Sequence, residues 1–243
     1  MADTTKTLHS SSEDIATVAI QRSLRPLPEN TALTEHIIPE SSELGRLLCS
    51  RKSERFFSGA AIPQEKIERL LADCAGGIRY SRSQDRSDVE ILYRTIPQSG
   101  AICCVEVYFA LMRETSHLSA GLYRFSAFSN TIHSVNKNLD IDNLKRIMNC
   151  SSDPFFEKSS AVFFITVDFE TKTFKYGTRG IRYALIETGC ALQNAMLSCC
   201  DQGIAAYPYG GFDDEALSQL LDLSPPNQAP IITMILGMPE KKA

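Results

Sequence analysis

The sequence predicts an α+β fold, a mostly antiparallel central sheet flanked by helices. Three observations lead there. Stretches with helical spacing are interspersed with β-rich runs along the chain. Three of those runs, 105–112, 121–125 and 131–135, follow one another over short connections, as antiparallel neighbours do. With 243 residues of which 43% are apolar, there is enough material for one large core.

Residues 1–40 read as a partly disordered arm, serine-rich at Ser10-Ser11-Ser12 and punctuated by Pro26, Pro28 and Pro39. The folded domain is expected over 41–243. Ser41-Ser42-Glu43 carries cap chemistry for a first helix, with Leu44, Leu47 and Leu48 along one face. Pro63 opens a second, whose Ile67, Leu70, Leu71 and Cys74 recur at i, i+3, i+4 and i+7, and Gly76-Gly77 stops it. Residues 79–90 are charged and without period, an exposed loop. After the three strands comes a short helix at 140–149, then a near-continuous apolar run at 160–168 that suits a buried central strand. Residues 180–202 have helical spacing and few charges, a helix buried over most of its circumference. A helix at 213–221 and a strand at 229–236 complete the domain.

Composition excludes several functions. Lys and Arg number 25 against 29 Asp and Glu, a net charge of −4, so the chain has no global attraction for nucleic acid or an anionic membrane. No run approaches the roughly 18 apolar residues of a membrane span, and 1–14 lacks the apolar core of a signal peptide. The expected compartment is the cytoplasm. The eight cysteines include no C-x2-C pair, and His9, His36, His117 and His133 are scattered, so no metal site is expected. The vicinal pairs Cys103-Cys104 and Cys199-Cys200 read as small buried residues.

Four segments carry more chemistry than packing needs. Arg51-Lys52-Ser53-Glu54-Arg55 places guanidinium forks and a hydroxyl where a phosphate could sit. Pro97-Gln98-Ser99-Gly100-Ala101 is a Pro/Gly turn that lets backbone approach a flat ligand. Lys175-Tyr176, followed by Arg179 and Arg182, sets an ammonium beside a phenol in a basic neighbourhood, a pairing suited to general-base work; Lys175, Arg179 and Arg182 would share a face if the stretch were helical, an assumption Gly177 and Gly180 weaken. Tyr207-Pro208-Tyr209-Gly210-Gly211 frees backbone N–H groups for the edge of a heteroaromatic ring.

In this order and spacing the four segments resemble the nitroreductase-like flavoproteins, and within them the SagB-type and microcin-synthetase-type azoline dehydrogenases. The most specific stretch is Phe174-Lys175-Tyr176, the arginine-rich turn to Arg182, Glu187-Thr188-Gly189 and Gln193-Asn194. The resemblance implies an intertwined homodimer building two FMN sites. Arg51, Ser53 and Arg55, with Lys52 among them, match the motif for the FMN phosphate, ribityl chain and pyrimidine edge. Pro97, Gln98, Ser99 and Gly100 match a segment reaching the flavin from the partner subunit. Pro208, Gly210 and Gly211, with Tyr209 between, match the loop over flavin N5 and O4. Lys175 and Tyr176 match the pair credited with azoline oxidation. Gln98 stands where the family has serine, Ile102-Cys103-Cys104 where it commonly has Leu-Tyr-Pro, and Lys241 and Lys242 are left as a last phosphate contact.

The implied function is FMN-dependent oxidation of thiazolines or oxazolines to thiazoles or oxazoles in a ribosomally made precursor peptide, within microcin-like antibiotic biosynthesis, the flavin being reoxidised by O2. Implied partners are a cyclodehydratase, leader-peptide-binding subunits and the precursor peptide itself. The alternatives on the same fold are an NAD(P)H-dependent nitro- or quinone reductase and a flavin-binding scaffold subunit.

Overall fold

A computed structural model describes residues 42–82, 90–136, 139–151 and 153–240; the expected arm at 1–40 and Lys241 and Lys242 lie outside them. In chain order the elements are α1 (Glu43–Ser50), α2 (Gln64–Ala75), β1 (Gly77–Arg82), β2 (Glu90–Arg94), a 3-10 turn (Ser99–Ala101), β3 (Val105–Leu111), β4 (Gly121–Ser126) and β5 (Thr131–Asn136). Then follow α3 (Ile141–Ile147), α4 (Pro154–Glu157), β6 (Ala161–Asp168), α5 (Phe169–Tyr176), α6 (Arg179–Gln202), β7 (Ala205–Tyr209), α7 (Asp214–Leu220) and β8 (Gln228–Gly237).

Six strands form one antiparallel sheet in the order β5-β4-β3-β6-β8-β7. The most apolar run, β6, lies inside it, paired on both edges (Phe109↔Phe163, Phe163↔Met234). Alternation along the strands then sorts side chains onto two faces. Val107, Phe109, Phe163 and Ile165 meet α2 and α6, through Leu70, Ala184, Ala191 and Cys199. Tyr108, Ala110, Val162 and Phe164 meet α3, α4 and α7, through Leu144, Phe156 and Leu217. The small residues of α6 let its backbone come close to the sheet, so this long helix spans the domain.

The local grammar explains the ends. Ser42 caps α1, its hydroxyl accepting from the Gly45 N–H at 2.9 Å. Gly76 ends α2 because a Cβ there would lie 2.5 Å from the Ala72 carbonyl oxygen.

Three expectations change. The stretch read as loop at 79–90 contributes to a β1–β2 hairpin, whose described residues are mostly exposed and so show no core-facing alternation. Cys103 is exposed, as is Cys49, whereas Cys104 and Cys199 are buried. And α6 is not covered over most of its girth: Ile181, Leu185 and Ile186 are exposed.

Candidate functional site

Lys175 and Tyr176 are the last two residues of α5, which begins directly after β6 with Asp168 accepting from the Thr171 N–H at 3.1 Å. Gly177, at φ +56, breaks the chain between α5 and α6, so Lys175 does not share a helix with Arg179 and Arg182. Gly180 lets α6 pack directly on α5: a Cβ there would stand 2.7 Å from the Lys172 carbonyl carbon. The Tyr176 ring meets Tyr183 edge-on at 5.1 Å, and Lys175 Nζ lies 5.5 Å from the Tyr176 centroid.

The 97–101 turn lies against this pair. A Cβ on Gly100 would fall 2.1 Å from Tyr176 Oη and 2.8 Å from Lys175 Nζ, so a side chain there would displace both groups. Gly100 and Ala101 both occupy the left-handed region, at φ +64 and +58. Beneath the turn sits an ion pair the sequence reading passed over. Lys172 is 0% exposed and Glu187 is 2% exposed, and Lys172 Nζ stands 2.6 Å from Glu187 Oε1. Lys172 also donates to the carbonyls of Ile102 at 2.6 Å and Ser99 at 3.2 Å, while Glu187 accepts from the Ser99 N–H at 2.7 Å. The Cys104 thiol faces the other carboxylate oxygen at 3.4 Å; burial, reinforced by that carboxylate, pushes this thiol up. Buried Arg94 braces the near side, donating to the carbonyls of Ala75 and Val105 and touching Cys103. Gln98 Nε2 and Thr95 Oγ1 are buried without a partner among the described residues, and both side chains line a cavity of about 360 Å³.

The basic segment 51–55 lies elsewhere. It runs along β7, the Glu54 N–H donating to the Ala206 carbonyl at 2.9 Å. Lys52 pairs with Glu54, and both line a cavity of about 230 Å³ against the last turns of α6. Arg51 is half-buried, and Ser53 and Arg55 are exposed. Neither arginine has a carboxylate partner among the described residues; Arg55 lies over the Tyr207 ring at 5.1 Å. Pro208, Tyr209, Gly210 and Gly211 leave the end of β7 beside this segment. Burial pushes the Tyr209 hydroxyl up to about 12.

So the structure joins the four predicted segments two by two. The 97–101 turn meets Lys175 and Tyr176, while 51–55 meets the strand leading to 208–211. The first couple touches α6 at Tyr183, and the second shares a cavity with Cys199 and Cys200. Those positions are about 24 Å apart along the helix axis at 1.5 Å per residue.

An α+β domain built on a helix-flanked antiparallel sheet, with a Lys–Tyr couple on a glycine turn and two uncommitted arginines, is the frame into which the comparisons fit. The chain belongs to the nitroreductase family, whose model matches residues 48–238. It is an oxidoreductase of a family whose members typically bind a flavin. It is 28% identical over 174 residues to the microcin B17-processing protein McbC of Escherichia coli, covering 70% of this chain and 60% of that protein. It is 24% identical over 203 residues to the nitroreductase homologue MJ1384 of Methanocaldococcus jannaschii, covering 82% and 92%. Among solved structures, the E. coli microcin synthetase McbBCD complex with truncated pro-MccB17 shares the fold at TM-score 0.71 and 23% identity, over 96% of this chain and 84% of the matched one. A nitroreductase-family structure from Ralstonia eutropha does so at 0.63 and 20%, over 89% of each. Among the described residues no helix is long and apolar enough to cross a membrane, and no cluster of His, Cys, Asp and Glu could hold a metal ion.

Proposed function

We propose that this chain is an FMN-dependent azoline dehydrogenase, converting thiazoline or oxazoline rings of a ribosomally made precursor peptide to thiazoles or oxazoles. The observation that carries the reading is the convergence of Lys175 Nζ and Tyr176 Oη on Gly100. A general base and a flat backbone surface thereby face the same space. The likeness to the microcin B17-processing protein McbC supports a peptide substrate; the proposed setting is a cytoplasmic synthetase with cyclodehydratase and leader-peptide-binding subunits.

The residues present suit FMN. Arg51 and Arg55 are cations without carboxylate partners, which would hold its phosphate and pyrimidine edge, with Ser53 on the ribityl chain. Gly210 and Gly211 offer backbone N–H groups without side chains. Gln98 Nε2 is a buried donor still without an acceptor. When bound, FMN supplies the two-electron acceptor, which O2 restores to its oxidised state, giving H2O2. The protein's share is the proton. The azoline Cα–H, acidified by its neighbouring carbonyl, is taken by Tyr176 or Lys175, the other holding the acceptor in place. Each ring loses one proton and one hydride, so the peptide loses two hydrogens per ring.

The two halves lie against α6 at residues about 24 Å apart along its axis, which supports their serving one cofactor from different protomers. The proposed active form is a homodimer, in which Lys175 and Tyr176 of one protomer serve the FMN held by Arg51 and Arg55 of its partner. The outward Ile181, Leu185 and Ile186, with Phe174 at 92% exposure, supply the apolar surface a second copy would cover.

The test is mass spectrometry of an azoline peptide incubated with the purified chain and partner subunits. Lys175→Ala and Tyr176→Phe are expected to retain flavin and dimerisation but to lose azole formation by roughly 10²–10⁴-fold, the usual contribution of a general base. Two-hydrogen loss at the wild-type rate in both variants overturns the assignment. Rapid anaerobic bleaching of the flavin by NADPH, without azole formation, would instead mark a nitro- or quinone reductase.

A further inference from the structure

The ion pair between Lys172 and Glu187 is used by no step above, yet its hydrogen bonds go to one place. The ammonium has three protons, and each has an acceptor: Glu187 Oε1 at 2.6 Å, the Ile102 carbonyl at 2.6 Å and the Ser99 carbonyl at 3.2 Å. The carboxylate accepts in turn from the Ser99 N–H and faces the Cys104 thiol. Four of these five contacts end on the segment 99–104. Burying two charges is a poor way to gain stability, since lost hydration offsets much of the attraction. What the arrangement does deliver is a fixed position for one short stretch of backbone.

That position matters because the stretch is strained. Gly100 and Ala101 follow one another at positive φ, a conformation that persists in alanine only where the surroundings impose it. Gly100, beside the strained Ala101, is also the residue against which Tyr176 Oη and Lys175 Nζ lie. A shift of the turn would therefore be passed to both groups directly.

We propose that Lys172 and Glu187 are positioning residues: their ion pair, one turn of helix before the Lys–Tyr couple, clamps the 97–101 turn so that Gly100 holds Lys175 and Tyr176 in the geometry of proton removal. This rests on the reading of Lys175 and Tyr176 as the reacting pair. It also gives a physical role to the unusual Ile102-Cys103-Cys104, since the Ile102 carbonyl and the Cys104 thiol are both partners of the pair.

The experiment separates positioning from stability. In the double variant Lys172→Met/Glu187→Leu both charges go together, leaving neither buried and unpaired, so the chain is expected to fold and bind FMN. The rate of azole formation at saturating peptide should fall by about 10²-fold, the scale of an ångström-sized misplacement, with KM for the peptide changed less than about threefold. Glu187→Gln, which keeps the shape and the acceptor for Ser99, should show a smaller loss in the same direction and serves if the double variant does not fold. The second readout is independent of turnover: 3-fluorotyrosine at position 176, observed by fluorine NMR. One sharp resonance is expected for the otherwise wild-type chain, and a shifted or broadened one in either variant. A folded variant with unchanged kcat and an unchanged fluorine signal overturns the proposal. A fluorine signal that moves in a chain whose wild type never oxidises azolines leaves the clamp standing and removes the functional reading instead.

Discussion

The two basic neighbourhoods of this chain are built on opposite terms. Lys172 is sealed in the interior with every donor committed, whereas Arg51 and Arg55 stand at the surface side of β7 with no carboxylate partner among the described residues. A cation whose partners are all internal spends its charge on geometry. A cation with none keeps it for an incoming anion. Lys52, between the two arginines, shows how local that division is: it pairs with Glu54, and neither arginine has such a partner among the described residues. Sequence motifs count all these residues as basic, and only packing separates the scaffold from the receptor.

The largest effect expected from this contrast is a rescue. Homodimers carrying Arg51→Ala/Arg55→Ala, or Lys175→Ala, should each fall by 10² or more in azole formation. If the two neighbourhoods serve one flavin across the dimer, a mixed dimer of the two variants contains one site with both defects and one with neither. It should recover about half the wild-type rate, measured on dimers purified through two different tags; the scale of the rescue follows from the general-base contribution restored at the intact site. If each chain served its own flavin, both sites would stay defective and the mixed dimer would be as slow as its parents.

Next comes cofactor affinity, which should divide the two regions cleanly. Charge-assisted hydrogen bonds contribute about 1.5–3 kcal/mol each, so Arg51→Ala or Arg55→Ala should raise the Kd for FMN by roughly 10- to 100-fold in a fluorescence titration. Lys175→Ala should leave it within about threefold, since its ammonium belongs to the other neighbourhood. Equal losses from all three substitutions would contradict the division.

How much of this was readable beforehand follows the same line. The helices at 63–75 and 180–202 declare themselves because a buried face writes a period into the sequence, the strand at 160–168 because burial on both faces writes a continuous apolar run, and the strands at 105–112, 121–125 and 131–135 as β-rich runs on short connections. The β1–β2 hairpin writes none: β1 is exposed over almost its whole length and β2 is half-buried without alternation. Lys175 and Tyr176 were legible as a dipeptide, and so were Arg51 and Arg55 as a run. Lys172 was not. It is separated from Glu187 by a helix break, and its acceptors at Ser99 and Ile102 are backbone carbonyls, which no side-chain pattern encodes. The available hint was Glu187 itself, a carboxylate on a helix otherwise poor in charge, where burial demands a partner.

Gly100→Ala should come next in size and sharpens the case for the clamped side. Alanine at φ +64 is strained by about 1–3 kcal/mol, and its Cβ would collide with Tyr176 Oη. The melting temperature should drop by several degrees, at about 2–4 °C per kcal/mol for a chain of this length. Azole formation should fall further than that loss of stability explains, since the displaced groups are the reacting ones. Gly177→Ala makes the control: its φ is also positive, at +56, but a Cβ there meets nothing within 4 Å. It should show the thermal loss without the disproportionate catalytic one.

The smallest effect concerns the two cysteines beside the turn. Cys104 points inward to Glu187 and Cys103 outward beside Arg94, so adjacent thiols sample the two sides of one wall. Burial pushes the Cys74 thiol up to about 12 and moves Cys104 and Cys199 in the same direction. A thiol raised this way stays protonated through neutral and mildly alkaline pH, and the thiolate is the nucleophile. Iodoacetamide at pH 8 should therefore label Cys49 and Cys103 in the folded protein within minutes and leave Cys74, Cys104 and Cys199 untouched until denaturant is added, as peptide mapping would show. Should Cys104 be labelled as fast as Cys103, the turn would have to open readily, and the Lys172–Glu187 pair could not be holding it.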